Sequence, residues 1–354
     1  MTDLTTHHAP RPVGYGWTTD REAELPGSTE PARVARVDHG RLRVLAGNGE
    51  RSVVPAAALY DETGLAGPAV GDWVALRGGL AVEVLPRRSA FTRTTAGRTS
   101  AAQVVAANLD TVLVVDAMVG PTRLRRVGRY LAVAWGSGAL PVVVLTKSDL
   151  CEDVEATLAL VAEDALGVDV LAVSSATGEG LAAVAARIGP GRTAAMVGPS
   201  GVGKSSLANA LAGRLVAGTR EIRDDGRGRH TTTVRELHLL PDGGLLVDTP
   251  GMRELGLYDD GEGIDAAYAD VTGLAAGCCF RDCAHRTEPG CAVAAAIDAG
   301  TLDPARFLAW RKLQAEARRQ ELRVDARARA AEHARVRAFS RSLRDQPSRP
   351  RVGR

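Results

Sequence analysis

The chain has 354 residues, 45% of them hydrophobic and 24% charged, with a formal net charge of +2. That length accommodates two or three domains, and with aromatics at only 4% their cores must be built from Ala, Val and Leu. No stretch is apolar enough to span a membrane, and the near-neutral balance excludes a uniformly acidic or basic protein.

Residues 1–30 carry His, Pro, Thr and several charges without an apolar h-region, so a disordered tail and a cytoplasmic location are expected. His7 and His8 are read as solvated rather than metal-binding. From residue 31 to 97 the pattern changes to short alternating runs at 33–37, 41–45, 73–76 and 81–85, punctuated by Gly and Pro, which predicts an all-β sandwich or barrel. Ten arginines against six carboxylates between Pro31 and Thr99 suit an RNA partner; a solvated surface without nucleic acid is the plainer alternative.

Residues 98–260 hold a series of strand-and-loop signals. A buried strand at 140–145 leads into Thr146-Lys147-Ser148-Asp149, whose aspartate can accept from the two guanine N–H groups while the lysine stem packs over the base. Thr stands where this motif usually has Asn, whose amide contacts the purine and braces the phosphate loop; Thr can do only part of that. A strand from Val170 runs into Ser174-Ser175-Ala176-Thr177, a small-residue loop suited to backing the base. The run 193–197 reads as a parallel strand and delivers Gly198-Pro199-Ser200-Gly201-Val202-Gly203-Lys204-Ser205, and the residues from Ser205 and Ser206 to Gly213 read as the helix that follows. Glycines there let successive N–H groups face a β-phosphate, Lys204 neutralises β/γ charge and the Ser205 hydroxyl can ligate Mg²⁺. Two of the chain's three lysines, Lys147 and Lys204, lie in these motifs.

Between residues 226 and 233 a charged, glycine-bearing stretch carries His230, Thr231, Thr232 and Thr233; a switch loop needs one such threonine to reach Mg²⁺ and the γ-phosphate, and a solvated loop is the alternative. Residues 244–248 form an apolar strand ending in Asp248-Thr249-Pro250-Gly251, where the aspartate can hold Mg²⁺ through water and the Gly251 N–H can meet the γ-phosphate. Met252 comes next, where Ras-like enzymes carry a Gln that orients the attacking water; a thioether offers no such group, which makes His230 the internal substitute. Lys204 and Asp248 complete the catalytic set.

Four of the five cysteines fall within Cys278-Cys279-Phe280-Arg281-Asp282-Cys283-Ala284-His285-Arg286-Thr287-Glu288-Pro289-Gly290-Cys291. Clustered thiols with an imidazole suit tetrahedral Zn²⁺. A disulfide pair and buried free thiols are the competing readings. Cys151 is read as a small core residue. Asp303-Pro304 predicts an N-cap followed by proline at the first helical position, opening a helix to about residue 343. Residues 306–354 hold fifteen basic and five acidic side chains, a net of +10 that the rest of the chain conceals. Such an Arg-rich segment can lie against phosphates, or stand as an exposed charged helix.

The order guanine reader, base-backing loop, phosphate loop, threonine stretch, Asp-x-x-Gly is a circular permutation of the usual GTPase order. With its flanking segments the chain resembles the small-ribosomal-subunit-dependent GTPases of the RsgA or YjeQ family, over roughly residues 33–325. The resemblance supplies an OB-fold identity for the barrel. It also implies a zinc site of the form Cys-x₄-Cys-x-His-x₅-Cys, which selects Cys278 over Cys279 and assigns one Zn²⁺ to Cys278, Cys283, His285 and Cys291.

The expected architecture is therefore multi-domain α/β: a tail over 1–30, an OB-like β-barrel over 31–97, a circularly permuted P-loop GTPase domain over 98–260, a zinc-binding helical module over 261–325 and a basic tail over 326–354. The expected function is a GTPase acting as a late maturation checkpoint of the small ribosomal subunit, with GTP or GDP, Mg²⁺ and Zn²⁺ as cofactors. Its partners would be the subunit, its rRNA and other assembly factors, with no membrane partner and a monomeric state. The alternatives are an RNA-binding scaffold with a structural nucleotide site, and a P-loop enzyme of the kinase class. The kinase class is weakened by Asp149, for which adenine has no matching donors.

Overall fold

A computed structural model of the chain describes residues 10–60, 67–94, 102–119, 124–217, 235–248, 261–286 and 288–324, together with the helical positions Ala330, Ala334 and Arg337. The first strands are β1 (Glu30–Asp38), β2 (Arg41–Ala46), β3 (Gly49–Pro55), β4 (Trp73–Arg77) and β5 (Leu80–Val84). They pair in the order β1-β2-β3-β5-β4, and β4 returns to β1, which closes a five-stranded barrel. Alternation puts Val34, Leu42, Val44, Val53, Val74 and Leu76 inside it. A two-stranded ribbon, β6 (Ala90–Thr94) and β7 (Ala102–Ala107), connects the barrel to the nucleotide domain, and the division expected at 97/98 falls between its strands.

The nucleotide domain comprises β8 (Thr111–Ala117), α1 (Leu124–Gly136), β9 (Leu140–Thr146), α2 (Val154–Asp164), β10 (Val170–Val173), α3 (Leu181–Ile188), β11 (Thr193–Val197), α4 (Lys204–Ala212), β12 (Glu236–Leu239) and β13 (Leu245–Asp248). Its strands run β10-β9-β8-β11-β13-β12; all are parallel except β12, which is antiparallel to β13. These parallel strands read as near-continuous apolar runs because both faces are covered. On β8, Val112 and Val114 face α1 and α2, while Leu113 and Val115 face α3 and α4. Every parallel strand therefore points its C-terminal end toward one edge of the sheet, where ligands bind in such folds.

The C-terminal helices are α5 (Gly261–Ala267), α6 (Ala269–Ala276), α7 (Ala292–Asp298) and α8 (Pro304–Val324). Asp303 caps α8, its carboxylate accepting from the Ala305 N–H at 2.8 Å. These helices share a core with α1: Val127 and Leu131 pack with Ile264, Val271, Val293 and Phe307. The helix crossing is close because small residues face it; a Cβ on Gly263 would stand 2.3 Å from the Ala132 carbonyl oxygen. Arg306 fastens the module to α2, pairing with Asp270 at 2.7 Å and donating to the Asp164 carbonyl at 3.0 Å, with its guanidinium over the Tyr268 ring.

A disordered tail is not what residues 10–30 form. They make two short 3₁₀ turns, Val13–Tyr15 and Thr19–Glu24, and bury Trp17 edge-on against Trp73 with centroids 5.0 Å apart. The physical reason is a buried cation. Arg33 on β1 donates to the carbonyls of Tyr15 (2.8 Å), Gly71 (3.2 Å) and Asn108 (2.9 Å), tying the N-terminal segment, the barrel and the entry to β8 together. Burial pulls the Arg33 guanidinium down to about 10. Barrel and nucleotide sheet also meet at one rung, Arg36 of β1 opposite Glu236 of β12, so strands of both belong to a single eleven-stranded sheet. Among the described residues no helix is long and apolar enough to cross a membrane.

Candidate functional site

β11 spans the predicted strand residues and ends at the phosphate loop. Gly198 has φ +144°, and a Cβ there would lie 2.0 Å from the Val115 carbonyl oxygen, so only glycine lets the loop pass over the end of β8. Gly201 and Gly203 also hold positive φ, and Gly203 precedes α4, whose first residue is Lys204. The loop thus feeds a helix N-terminus, the arrangement that binds phosphate. Lys204 folds back along the loop, its Nζ donating to the Gly198 carbonyl at 2.7 Å and to that of Pro199. Ser205 is half-buried in the first turn of α4, while Ser200, Gly201 and Ser206 are exposed and Val202 is buried.

The segment expected to read guanine, residues 146–149, follows β9 directly. Parallel registers align Thr146 with Ala117 on one side and Val173 on the other, so it sits at the same C-terminal edge as the phosphate loop. The Thr146 hydroxyl is within hydrogen-bonding reach of the Val202 carbonyl, inside the loop, and of the Asp116 carbonyl at 3.2 Å. Lys147 takes a left-handed conformation, φ +62°, and its Nζ donates to the Gly201 carbonyl at 3.3 Å. Ser148 is buried and Asp149 exposed, so its carboxylate is open to a ligand. Next to β10, the Ser174 side chain accepts from the Ala176 and Thr177 N–H groups at 3.2 Å each, which shapes the small-residue loop. The two motifs expected to form one nucleotide site are thus joined by side chain to backbone bonds.

Asp248 ends β13, and burial pushes its carboxyl up to about 6. His230, Thr231, Thr232 and Gly251, together with Met252, lie outside the described residues.

Cys278, Cys283, His285 and Cys291 converge, their ligand atoms all within 4.8 Å of one another. His285 Nδ1 lies 3.5 Å from the sulfurs of both Cys278 and Cys291, and those sulfurs are 3.9 Å apart. Zinc bond lengths of about 2.3 Å to sulfur and 2.0–2.1 Å to nitrogen give tetrahedral edges of about 3.5 Å for S···N and about 3.8 Å for S···S, so the set fits this ion. Cys279 is exposed and outside the cluster, its N–H donating to the Gly290 carbonyl at 3.3 Å. The disulfide reading fails, since all five thiols are free. The His285 ring is held edge-on by Phe307 and Trp310 of α8.

Residues 84–258 match the model of the RsgA GTPase family. A protein of Streptomyces coelicolor named small ribosomal subunit biogenesis GTPase RsgA is 45% identical over 344 residues, covering 93% of each chain. The chain belongs to the RsgA GTPase family. Two solved structures share its fold at a TM-score of 0.61: YjeQ from Thermotoga maritima, 24% identical over 82% of this chain and 98% of that one, and YloQ, a circularly permuted GTPase, 23% identical over 83% and 96%. As in other RsgA GTPases, GTP or GDP and Mg²⁺ are the implied ligands of the loop edge, and the Cys/His cluster could hold zinc.

Two residues of this RsgA chain that serve the site carry no motif. Asp116, penultimate in β8, offers its carbonyl to Thr146; its side chain caps the Ala117 N–H through Oδ1, and Oδ2 is buried without a partner among the described residues. A carboxylate closing an otherwise apolar strand was the available signal. Asn209 on α4 accepts from the Val216 and Ala217 N–H groups at 2.8 Å and donates to the Ala217 carbonyl at 2.9 Å, pinning the segment that leaves the helix. Nothing in its surroundings distinguishes it in sequence from a solvated helix residue.

Proposed function

We propose that this chain is a GTP hydrolase serving as a late maturation checkpoint of the small ribosomal subunit, binding rRNA and turning over GTP when the particle stimulates it. As an RsgA-family GTPase it converts GTP to GDP and phosphate. The observation that carries the reading is the tie from Thr146 and Lys147 to the phosphate loop, which makes a base reader and a phosphate cradle one site. Asp149 would accept from the guanine N–H groups, and Lys204 with the loop N–H groups would stabilise charge at the β/γ oxygens. Ser205 and either Thr231 or Thr232 would hold Mg²⁺, with Asp248 reaching it through water and the Gly251 N–H meeting the γ-phosphate. Bound Mg²⁺ supplies positive charge where the leaving oxygen becomes negative. His230 would orient the attacking water in place of Met252.

The working parts are the barrel over 31–97, the nucleotide domain over 98–260, the zinc module over 261–325, with one Zn²⁺ on Cys278, Cys283, His285 and Cys291, and a basic tail over 326–354. The arginine-rich barrel and tail would meet rRNA phosphates; other assembly factors are further partners, and the protein acts as a cytoplasmic monomer. The RNA scaffold with a structural nucleotide is disfavoured by the relatives' naming as GTPases.

GTP turnover with and without purified small subunits tests the reading. The free protein should turn over slowly, at about 10⁻⁴ to 10⁻² s⁻¹, and subunits should accelerate it strongly. His230→Ala should lose that acceleration with nucleotide affinity nearly unchanged. Absence of stimulation in the wild type would leave the scaffold as the better account.

A further inference from the structure

A side chain that contacts a bound base must be reachable from the protein surface. Thr146 is 2% exposed, whereas Asp149, three residues on, is open to solvent. A threonine hydroxyl has one proton to donate, and among the described residues two acceptors lie within its reach: the Val202 carbonyl of the phosphate loop and the Asp116 carbonyl of β8. Gly203 confirms how closely the loop approaches, since a Cβ there would lie 3.5 Å from the same hydroxyl oxygen. The left-handed turn at Lys147 then carries the neighbouring ammonium to the Gly201 carbonyl, a second bond to the same loop. Asparagine at this position has both an amide donor and a carbonyl acceptor, enough for a loop bond and a base contact together; threonine has a single hydroxyl, and here its proton is committed to the protein.

We infer that Thr146 is a positioning residue: it braces the phosphate loop against β8 and the guanine reader, does not touch the nucleobase, and leaves base discrimination to Asp149. This rests on the guanine-reading role given to residues 146–149 above. Thr146 therefore sets how tightly any nucleoside diphosphate is held, and not which base is preferred.

The test measures affinities of GDP, inosine diphosphate and 7-deaza-GDP, which probe the amino and imidazole sides of the base. Thr146→Val removes the hydroxyl at nearly constant volume. It should weaken all three ligands by about tenfold, as expected for one lost buried hydrogen bond, and leave their ratios as in the wild type. Thr146→Ser should restore all three. Should Thr146→Val not fold, Thr146→Ala gives the same ratios. A changed ratio with any one analogue would place Thr146 against the base, and unchanged affinities, or failure of Ser to rescue, would show that the brace carries nothing; each overturns the inference. A wild type that holds ADP as well as GDP would instead overturn the guanine-reading role itself.

Discussion

Asp248 offers a prediction in which function and stability pull in opposite directions. Its carboxyl is displaced from 3.8 to about 6 by burial, the one cause of the shift. Between about pH 4 and 6 the folded protein retains a proton that the unfolded chain has released, so stability falls as pH rises through this window and the deficit is complete above it. Two units at about 1.36 kcal/mol each set an upper figure of about 3 kcal/mol, which partial solvent access reduces to about 1–2 kcal/mol. Asp248→Asn should remove that deficit. Urea unfolding, with magnesium and nucleotide left out, should find the variant more stable than the wild type by about 1–2 kcal/mol at pH 7, the difference vanishing near pH 4. GTP turnover should fall in the same variant, because the carboxylate proposed to act through the metal's water is gone. A variant no more stable at pH 7, or equally stabilised at both pH values, would refute the reasoning.

The Cys/His cluster, if it holds zinc as proposed, predicts about one Zn²⁺ per chain; Cys283→Ala should release it and Cys279→Ala retain it, and elemental analysis of fresh protein decides. Asp149→Asn should move nucleotide preference from guanine toward xanthine, on a wild type that favours GDP over ADP at least tenfold; calorimetric titration showing equal ADP and GDP affinity would sink the assignment. Arg33→Met should cost about 2 kcal/mol or more, because the Tyr15 and Asn108 carbonyls lose their donor and the Gly71 carbonyl keeps the Asn108 amide alone, and a drop in the urea midpoint equivalent to less than about 0.5 kcal/mol would show that the cation is dispensable.

Much of the nucleotide domain was legible because its signals are local. An apolar run followed by glycines, Lys204 and Ser205 specifies strand, loop and helix, and β11 and β13 lie where the sequence places them. Asp303-Pro304 marks the start of α8 for the same reason. Strand β3, which carries polar residues at most of its exposed positions, and the β6–β7 ribbon had no such signal, since each is held by backbone pairing within a hairpin that its side-chain pattern does not announce. The ordered segment at 10–30 was hidden for a further reason. Its polar composition reads as solvated, but Trp17 packs edge-on against Trp73 of β4, and the Tyr15 carbonyl accepts from Arg33 of β1. The brace at Thr146 was visible as a departure from Asn, but which half of the Asn's work it kept depended on its burial and on where Val202 lies.

The single rung between Arg36 and Glu236 bears on how this protein survives its own synthesis. β12 is the last strand of the nucleotide sheet, and an open last strand offers unpaired N–H and C=O groups to any other extended chain. Here β1 meets that flank at its first residue, Glu236. In a circularly permuted chain the barrel emerges from the ribosome first, so the guard for this edge exists before the edge does. A version beginning at residue 98 would present β12 without that neighbour, and self-association through the strand is the behaviour to expect of it.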